Sequence, residues 1–221
     1  MSNPETMNMF PKWFNWVISL AILFLLVTTW VVLDTRWNTL NSLLVFTYVA
    51  VLMGYLVAEM VTYKGVKKVG KHTSEWLRYA LLLSWLTLIL VPLLEYGLFP
   101  KFNIFITAIG ISLTVFGTLI RAWGVKTLGV YFSRDLDSLE DQKLIEKGPY
   151  KYVRHPAYTG NILQVIGIPL VLYSYFSLIL SGVIIILFLQ RINWEEEALE
   201  KKLPEYDDYK QRTNKLIPRI Y

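Results

Sequence analysis

One polar string in this chain has the residue types of a binding site: Gly148-Pro149-Tyr150-Lys151-Tyr152-Val153-Arg154-His155-Pro156-Ala157-Tyr158-Thr159-Gly160. Pro156 suits the first turn of a helix, where its missing N–H has no partner to lose. The residue before a proline is pushed toward extended backbone. His155 is therefore predicted at the mouth of a helix, with Tyr158 and Gly160 in its first turns. Helix N-termini present unpaired amides and a positive field, so an anionic group there would meet amide donors, His155 and Arg154. A second string, Arg191-Ile192-Asn193-Trp194-Glu195-Glu196-Glu197, follows the next apolar run, and Tyr206-Asp207-Asp208-Tyr209 follows that. Arg191 and Glu195 are four apart and share one face of a continuous helix. Taken singly, these residues read as interfacial ion pairs and an aromatic belt; taken as whole strings, they point to a site. With no cysteine and two histidines, thiol nucleophiles are excluded and no metal site is expected.

The elements that must position these strings are apolar. The 221 residues are 54% hydrophobic and 18% charged, against about 25% charged in a soluble domain. Apolar runs cover Trp16 to Leu33, Leu43 to Tyr63, Leu77 to Phe99, Phe102 to Trp123 and Pro156 to Ile192. Roughly 20 residues cross a bilayer core, so the last run is too long for one span and is split near Tyr173-Ser174-Tyr175. The expectation is an all-α, polytopic membrane bundle of about six spans, with a cytoplasmic catalytic loop and a C-terminal cytoplasmic helix. With the N-terminus inside, 20 of the 22 basic residues lie on the inner side, and only Arg36 and Lys101 outside. That bias fits both termini in the cytoplasm and explains the net charge of +5 without nucleic acid. The first 120 residues read as transmembrane helices and residues 121–221 as the functional core.

Gly110, Gly117 and Gly124 recur every seven residues around Thr114 and read as a close-packing face. Glu59 and Glu95 lie near span ends and read as snorkelling or locally paired carboxylates. Thr73 or Ser74 is expected to cap the third span, and Pro92 and Pro169 to kink their spans.

The combination GPYxxxRHPxYxG, an apolar hairpin, RxxxEE with a following leucine, and a YxxY tail resembles the isoprenylcysteine carboxyl methyltransferase family. That family sits in a wider group of integral-membrane methyltransferases that includes the phospholipid methyltransferases. Arg121-Ala122-Trp123 and Leu128 to Ser133 resemble its R-x-W and LG-x-x-x-S segments. The resemblance runs from Arg121 to Tyr221; it departs at Leu203-Pro204-Glu205, where the family has a glycine, and over Ser133 to Asp141. It implies S-adenosylmethionine held on the cytoplasmic side by Gln142, Lys143, Leu144, Ile145 and Tyr150. It carries the HPxY cofactor contacts to His155, Pro156, Ala157 and Tyr158, and the acidic cofactor contact to Glu195 or its neighbour Glu196. Arg191 falls where the family binds the substrate carboxylate, and Arg154 with His155 is placed to bind the cofactor's own carboxylate.

Those roles imply a lipophilic acceptor arriving from the bilayer, most simply a prenylated cysteine carboxylate, with membrane lipids as neighbours. A lipid amine or a thiol is an alternative acceptor, and each would need a base. An NADPH-dependent sterol-type reductase shares an RHPxYxG-like string. A transporter or scaffold lacks the internal repeat it would be expected to show.

Overall fold

The computed structural model describes residues 39–62, 75–132 and 143–218. The first predicted span, His72, the proposed cap at Thr73 or Ser74, and Gln142 lie outside these. Among the described residues the fold is all-α: α1 (Thr39–Thr62), α2 (Glu75–Leu98), α3 (Ile104–Leu128), α4 (Pro156–Val171), α5 (Tyr175–Lys202) and α6 (Tyr206–Arg212). Short 3₁₀ turns occupy Gly129–Tyr131 and Gly148–Lys151. Three of the helical segments, Leu40–Thr62, Ile104–Tyr131 and Tyr175–Lys202, are long and apolar enough to cross a membrane. Their outward faces expose Phe105, Phe116 and Ile179.

The long apolar run does break at the predicted place. Helix α4 ends at Val171 and α5 starts at Tyr175, with Tyr173 in the left-handed region at φ 57°. A side chain from another helix secures the corner. Glu95 of α2 accepts hydrogen bonds from the backbone N–H groups of Tyr175 (2.9 Å) and Phe176 (3.2 Å) and from the Ser174 hydroxyl. A carboxylate belongs there, because the first amides of a helix lack intrahelical partners and carry its positive dipole end. Glu95 is thus locally paired, one of the two expectations for its position near a span end. Beyond the corner, α5 does not stop at Ile192. It continues through Lys202 as one helix, so Arg191, Glu195 and Glu196 stand on a rigid element.

The closest helix contact is α3 against α4, and it is made by glycines. A methyl at Gly110 would lie 2.5 Å from the Val171 nitrogen, and one at Gly117 would lie 2.6 Å from the Gly160 carbonyl oxygen. From the other side, a methyl at Gly167 would meet Thr114 Oγ1 at 2.5 Å. Hydrogen bonds lock the seam: Thr107 donates to the Val171 carbonyl (3.1 Å) and Gln164 Nε2 to Thr118 Oγ1 (3.0 Å). Across α4 from this seam, Val165, Ile168 and Val171 pack with Ile184 and Phe188 of α5, Tyr48 and Leu52 of α1, and Leu88 and Leu93 of α2. Tyr48 donates to the Ile89 carbonyl (3.0 Å), which ties α1 to α2.

Gly110→Ala should lower the thermal midpoint by several degrees, because the added methyl meets only backbone and overpacking costs about 1–3 kcal/mol. Gly54→Ala, with nothing within 4 Å, is the control. Melting curves of both variants in one detergent test this; equal midpoints would refute the seam's role.

Candidate active site

The mouth of the hairpin is built where the two polar strings and the chain's C-terminal tail converge. Gly148 opens a 3₁₀ turn at φ +58°. A side chain there would press on Thr127 Oγ1 (3.0 Å) and Trp123 Nε1 (3.2 Å). This turn rests on the end of α3 and sends Tyr150 inward, where it is buried. Val153 then pairs in parallel with Asn214 of the tail. The Arg154 N–H donates to the Asn214 carbonyl (2.9 Å) and the His155 N–H to the Lys215 carbonyl (3.1 Å). Thr159 adds a bond from its hydroxyl to the Leu216 carbonyl (2.8 Å). His155 is the N-cap and Pro156 the first helical residue, as predicted, but the His155 backbone, at φ −126° and ψ 57°, is not extended as expected. Pro156 and Ala157 are buried against Gly124 of α3.

Two polar clusters form here, one around each of two adjacent glutamates. Successive residues of a helix point about 100° apart, so Glu195 and Glu196 serve different neighbours. Glu196 is buried, its side chain 4% exposed, and accepts from Arg154 Nε at 2.7 Å, His155 Nε2 at 3.1 Å and Lys215 Nζ at 3.0 Å. Arg154 also donates from Nη1 to the carbonyls of Lys210 (3.0 Å) and Thr213. Glu195, half-buried, accepts from the Tyr158 hydroxyl at 2.8 Å, and that hydroxyl in turn accepts from Arg191 Nε at 2.8 Å. The helix spacing that placed Arg191 and Glu195 on one face is thus realised through a tyrosine from α4. The Tyr158 ring lies edge-on to His155 (5.8 Å) and Phe188 (5.9 Å).

Tyr150, Tyr158, His155, Arg191, Glu195 and Glu196 therefore share one region. The Tyr150 phenol is pushed well above its ordinary value by burial, with the nearby charge of Glu195 adding to the rise. Its carbonyl accepts from Tyr209 Oη at 2.6 Å. Leu144 packs on Leu203, Tyr206 and Tyr209 beside that contact; Ile145 is half-buried, and Lys143 is exposed. Arg154 and His155, expected to face a cofactor carboxylate, turn their side chains to Glu196. Sequence reasoning missed the tail: no spacing rule links Asn214 and Lys215 to a string sixty residues earlier. It also missed that Arg121 of α3 is the partner of Glu59, at 2.5 Å from Nε and 3.1 Å from Nη2.

The sequence and the fold match known proteins. The model of the isoprenylcysteine carboxyl methyltransferase (ICMT) family matches residues 108–201. A probable protein-S-isoprenylcysteine O-methyltransferase of Oryza sativa subsp. indica is 31% identical over 149 residues, covering 65% of this chain and 77% of that protein. The chain belongs to the isoprenylcysteine carboxyl methyltransferase family. Protein-S-isoprenylcysteine O-methyltransferase B of Arabidopsis thaliana is 28% identical over 62% of this chain and 73% of its own length. An uncharacterized Bacillus subtilis protein, YpbQ, is 32% identical over 84 residues, and the match spans half of its length. Among solved structures, the eukaryotic intramembrane Ras methyltransferase ICMT superposes with a TM-score of 0.64 at 23% identity, over 90% of this chain and 74% of that one. At that identity the likeness is one of fold. The family match begins inside α3 and ends one residue before the end of α5, so the glycine seam and both glutamates fall within it, whereas the tail does not.

Two outcomes follow from the geometry. Glu196→Gln leaves buried cations without their anion, a change that costs about 3–5 kcal/mol; a thermal midpoint unchanged from the parent would refute the cluster's structural role. The Tyr209 phenol is raised above its ordinary value of 10.0, first by burial and then by Glu146. Its contribution to docking the tail is therefore complete below pH 10 and disappears as pH climbs through the raised value. In ultraviolet titrations, the difference between parent and Tyr209→Phe should show a phenolate that forms later than free tyrosine; one forming near pH 10 would contradict this.

Proposed function

We propose that this chain is an integral-membrane methyltransferase that moves a methyl group from S-adenosylmethionine to the carboxylate of a prenylated cysteine or a similar lipophile. The observation that carries the reading is the Arg191–Tyr158–Glu195 chain of hydrogen bonds. It joins a cation suited to an anionic acceptor with a carboxylate suited to a cationic donor.

The residues at the mouth fit such a donor chemically. Glu195 commits one oxygen to Tyr158 and faces the buried Tyr150, so a carboxylate and aromatic rings lie together, a combination that favours a cation. Lys143, Leu144 and Ile145 are proposed to supply backbone contacts to the donor, as is Gln142, which lies outside the described residues. When bound, S-adenosylmethionine supplies an electrophilic methyl on a sulfonium. Glu195 binds the donor's amine or ribose hydroxyls, and Tyr150, Pro156 and Ala157 shape its apolar wall. Arg191 holds the acceptor carboxylate through its planar fork, and Tyr158 keeps Arg191 and Glu195 in one register. A carboxylate is already ionised at neutral pH, so no residue has to remove a proton. Of the two adjacent carboxylates, Glu196 is engaged by Arg154, Lys215 and His155 and Glu195 by Tyr158, which favours an acceptor that needs no base. Orientation in a dry site then provides the acceleration.

In this reading residues 121–221 form the catalytic core, and the preceding spans are its scaffold. About six spans, with both termini and the site in the cytoplasm, fit the bias of basic residues. The acceptor's lipid tail enters between helices from the bilayer.

Radiolabelled S-adenosylmethionine incubated with purified protein and a panel of prenylcysteine, lipid-amine and thiol acceptors tests the reading. Base-labile methyl ester on prenylcysteine is expected. Label only on an amine or thiol, or none at all, overturns it. Hydrogen bonds to charged groups contribute about 1.5–3 kcal/mol, so Arg191→Lys and Glu195→Gln should each lower kcat/KM by about 10- to 100-fold. Arg191→Lys acts on the acceptor KM and Glu195→Gln on the donor KM.

A further inference from the structure

We infer that Glu59, on a helix that precedes the catalytic core, is a positioning residue for the transfer site and acts through Arg121. The inference rests on the methyltransferase reading above. Glu59 and Arg121 meet as two parallel bonds, Nε to Oε1 at 2.5 Å and Nη2 to Oε2 at 3.1 Å. The side chains are only 15% and 11% exposed, respectively. A paired fork of this kind fixes orientation as well as charge.

Three contacts show what that orientation serves. Arg121 leaves α3 where it touches the first turns of α4: a methyl at Gly160, two residues after Tyr158, would lie 2.7 Å from both the Arg121 nitrogen and its Cβ. The Phe132 ring lies 5.8 Å from the guanidinium carbon, so this cation is held by an aromatic ring as well as by Glu59. One turn before Glu59, Tyr55 stacks on Trp85 of α2 at 5.5 Å and 10°, which fixes how α1 is rotated and where Glu59 points. Arg121 thus stands against the first turns of α4, at Gly160 two residues beyond Tyr158, and α1 supplies the anion that holds it there. Without Glu59, a poorly solvated guanidinium is free to turn toward Tyr158 or toward the acceptor's carboxylate. The donor's own contacts, at Glu195 and the 143–150 segment, are left in place.

Steady-state kinetics on the full chain in lipid nanodiscs test this, with S-adenosylhomocysteine binding measured by calorimetry. Glu59→Gln should lower kcat/KM for the prenylcysteine acceptor about tenfold or more, with S-adenosylhomocysteine Kd within about twofold of the parent on the same energy scale. Glu59→Asp, which keeps the charge but shortens the reach, should recover part of the loss; it also supplies the measurement if Glu59→Gln does not fold. Parental turnover in Glu59→Gln overturns the inference. So does an equal fall in turnover and S-adenosylhomocysteine affinity, the mark of a merely structural contact. Absence of turnover in the parent protein overturns the methyltransferase reading itself, and this inference with it.

Discussion

A carboxylate as deeply buried as Glu196 persists because two cationic side chains, Arg154 and Lys215, and the His155 ring meet it, and that meeting decides the rest of the site. An isolated charge in such a place is strongly unfavourable, whereas a well-bonded cluster is tolerated and makes the geometry hard to deform. Arg154 and His155 come from the string before α4, Glu196 from α5 and Lys215 from the tail. Three segments that are distant in sequence therefore have one way to fit together. With Glu196 committed, the next residue back along α5 is rotated toward Tyr158, and Glu195 faces the site instead of the tail.

The same hairpin is clamped by a carboxylate at its opposite end. Glu95 of α2 holds the first amides of α5 and the Ser174 hydroxyl, while Glu196 holds the residues that lead into α4. Between these clamps α3 and α4 are held close by glycine, so α4 has little freedom to slide or rotate. Tyr158 can then lie between Arg191 and Glu195 at hydrogen-bond distance from both. Removing either clamp should loosen the hairpin from a different end, but only the Glu196 end adjoins the proposed site.

What could be read from the sequence was whatever depends on local period and local backbone chemistry. Glu95 was read as either snorkelling or paired, whereas the hairpin break, the helix start at Pro156, the glycine face of α3 and the shared face of Arg191 and Glu195 were all legible. The partners were not. Periodicity gives the direction in which a side chain leaves its helix but not the group it meets, and Glu59 lies 62 residues from Arg121. The division of labour between Glu195 and Glu196 was open for the same reason, since either register satisfies an RxxxE or RxxxxE spacing. The tail was invisible because its contacts are made largely by backbone, which no side-chain pattern announces. That α5 runs on to Lys202 follows from glutamate and lysine being good helix formers, so the change from apolar to charged residues after Ile192 does not end it.

The electrostatics of the mouth suit the proposed reaction in a way that follows from charge alone. A sulfonium donor and a carboxylate acceptor are both charged, and both charges vanish as the methyl moves. Water would hold the reactants more strongly than the neutral ester, so a wet site raises the barrier, whereas fixed groups that pair with each ion and exclude water do not. At this mouth the cationic and anionic groups are themselves matched: Arg121 with Glu59, Arg154 with Glu196, and Arg191 with Glu195 through Tyr158. Matched pairs leave little net field to oppose the loss of charge, and a neutral phenol at the centre provides both a donor and an acceptor as the charges disappear. A site with one unmatched cation would bind a carboxylate more tightly and also stabilise it against methylation. The pairing of these three guanidinium groups therefore favours transfer over mere binding, and it gives a reason for a helix outside the core to contribute one of the anions.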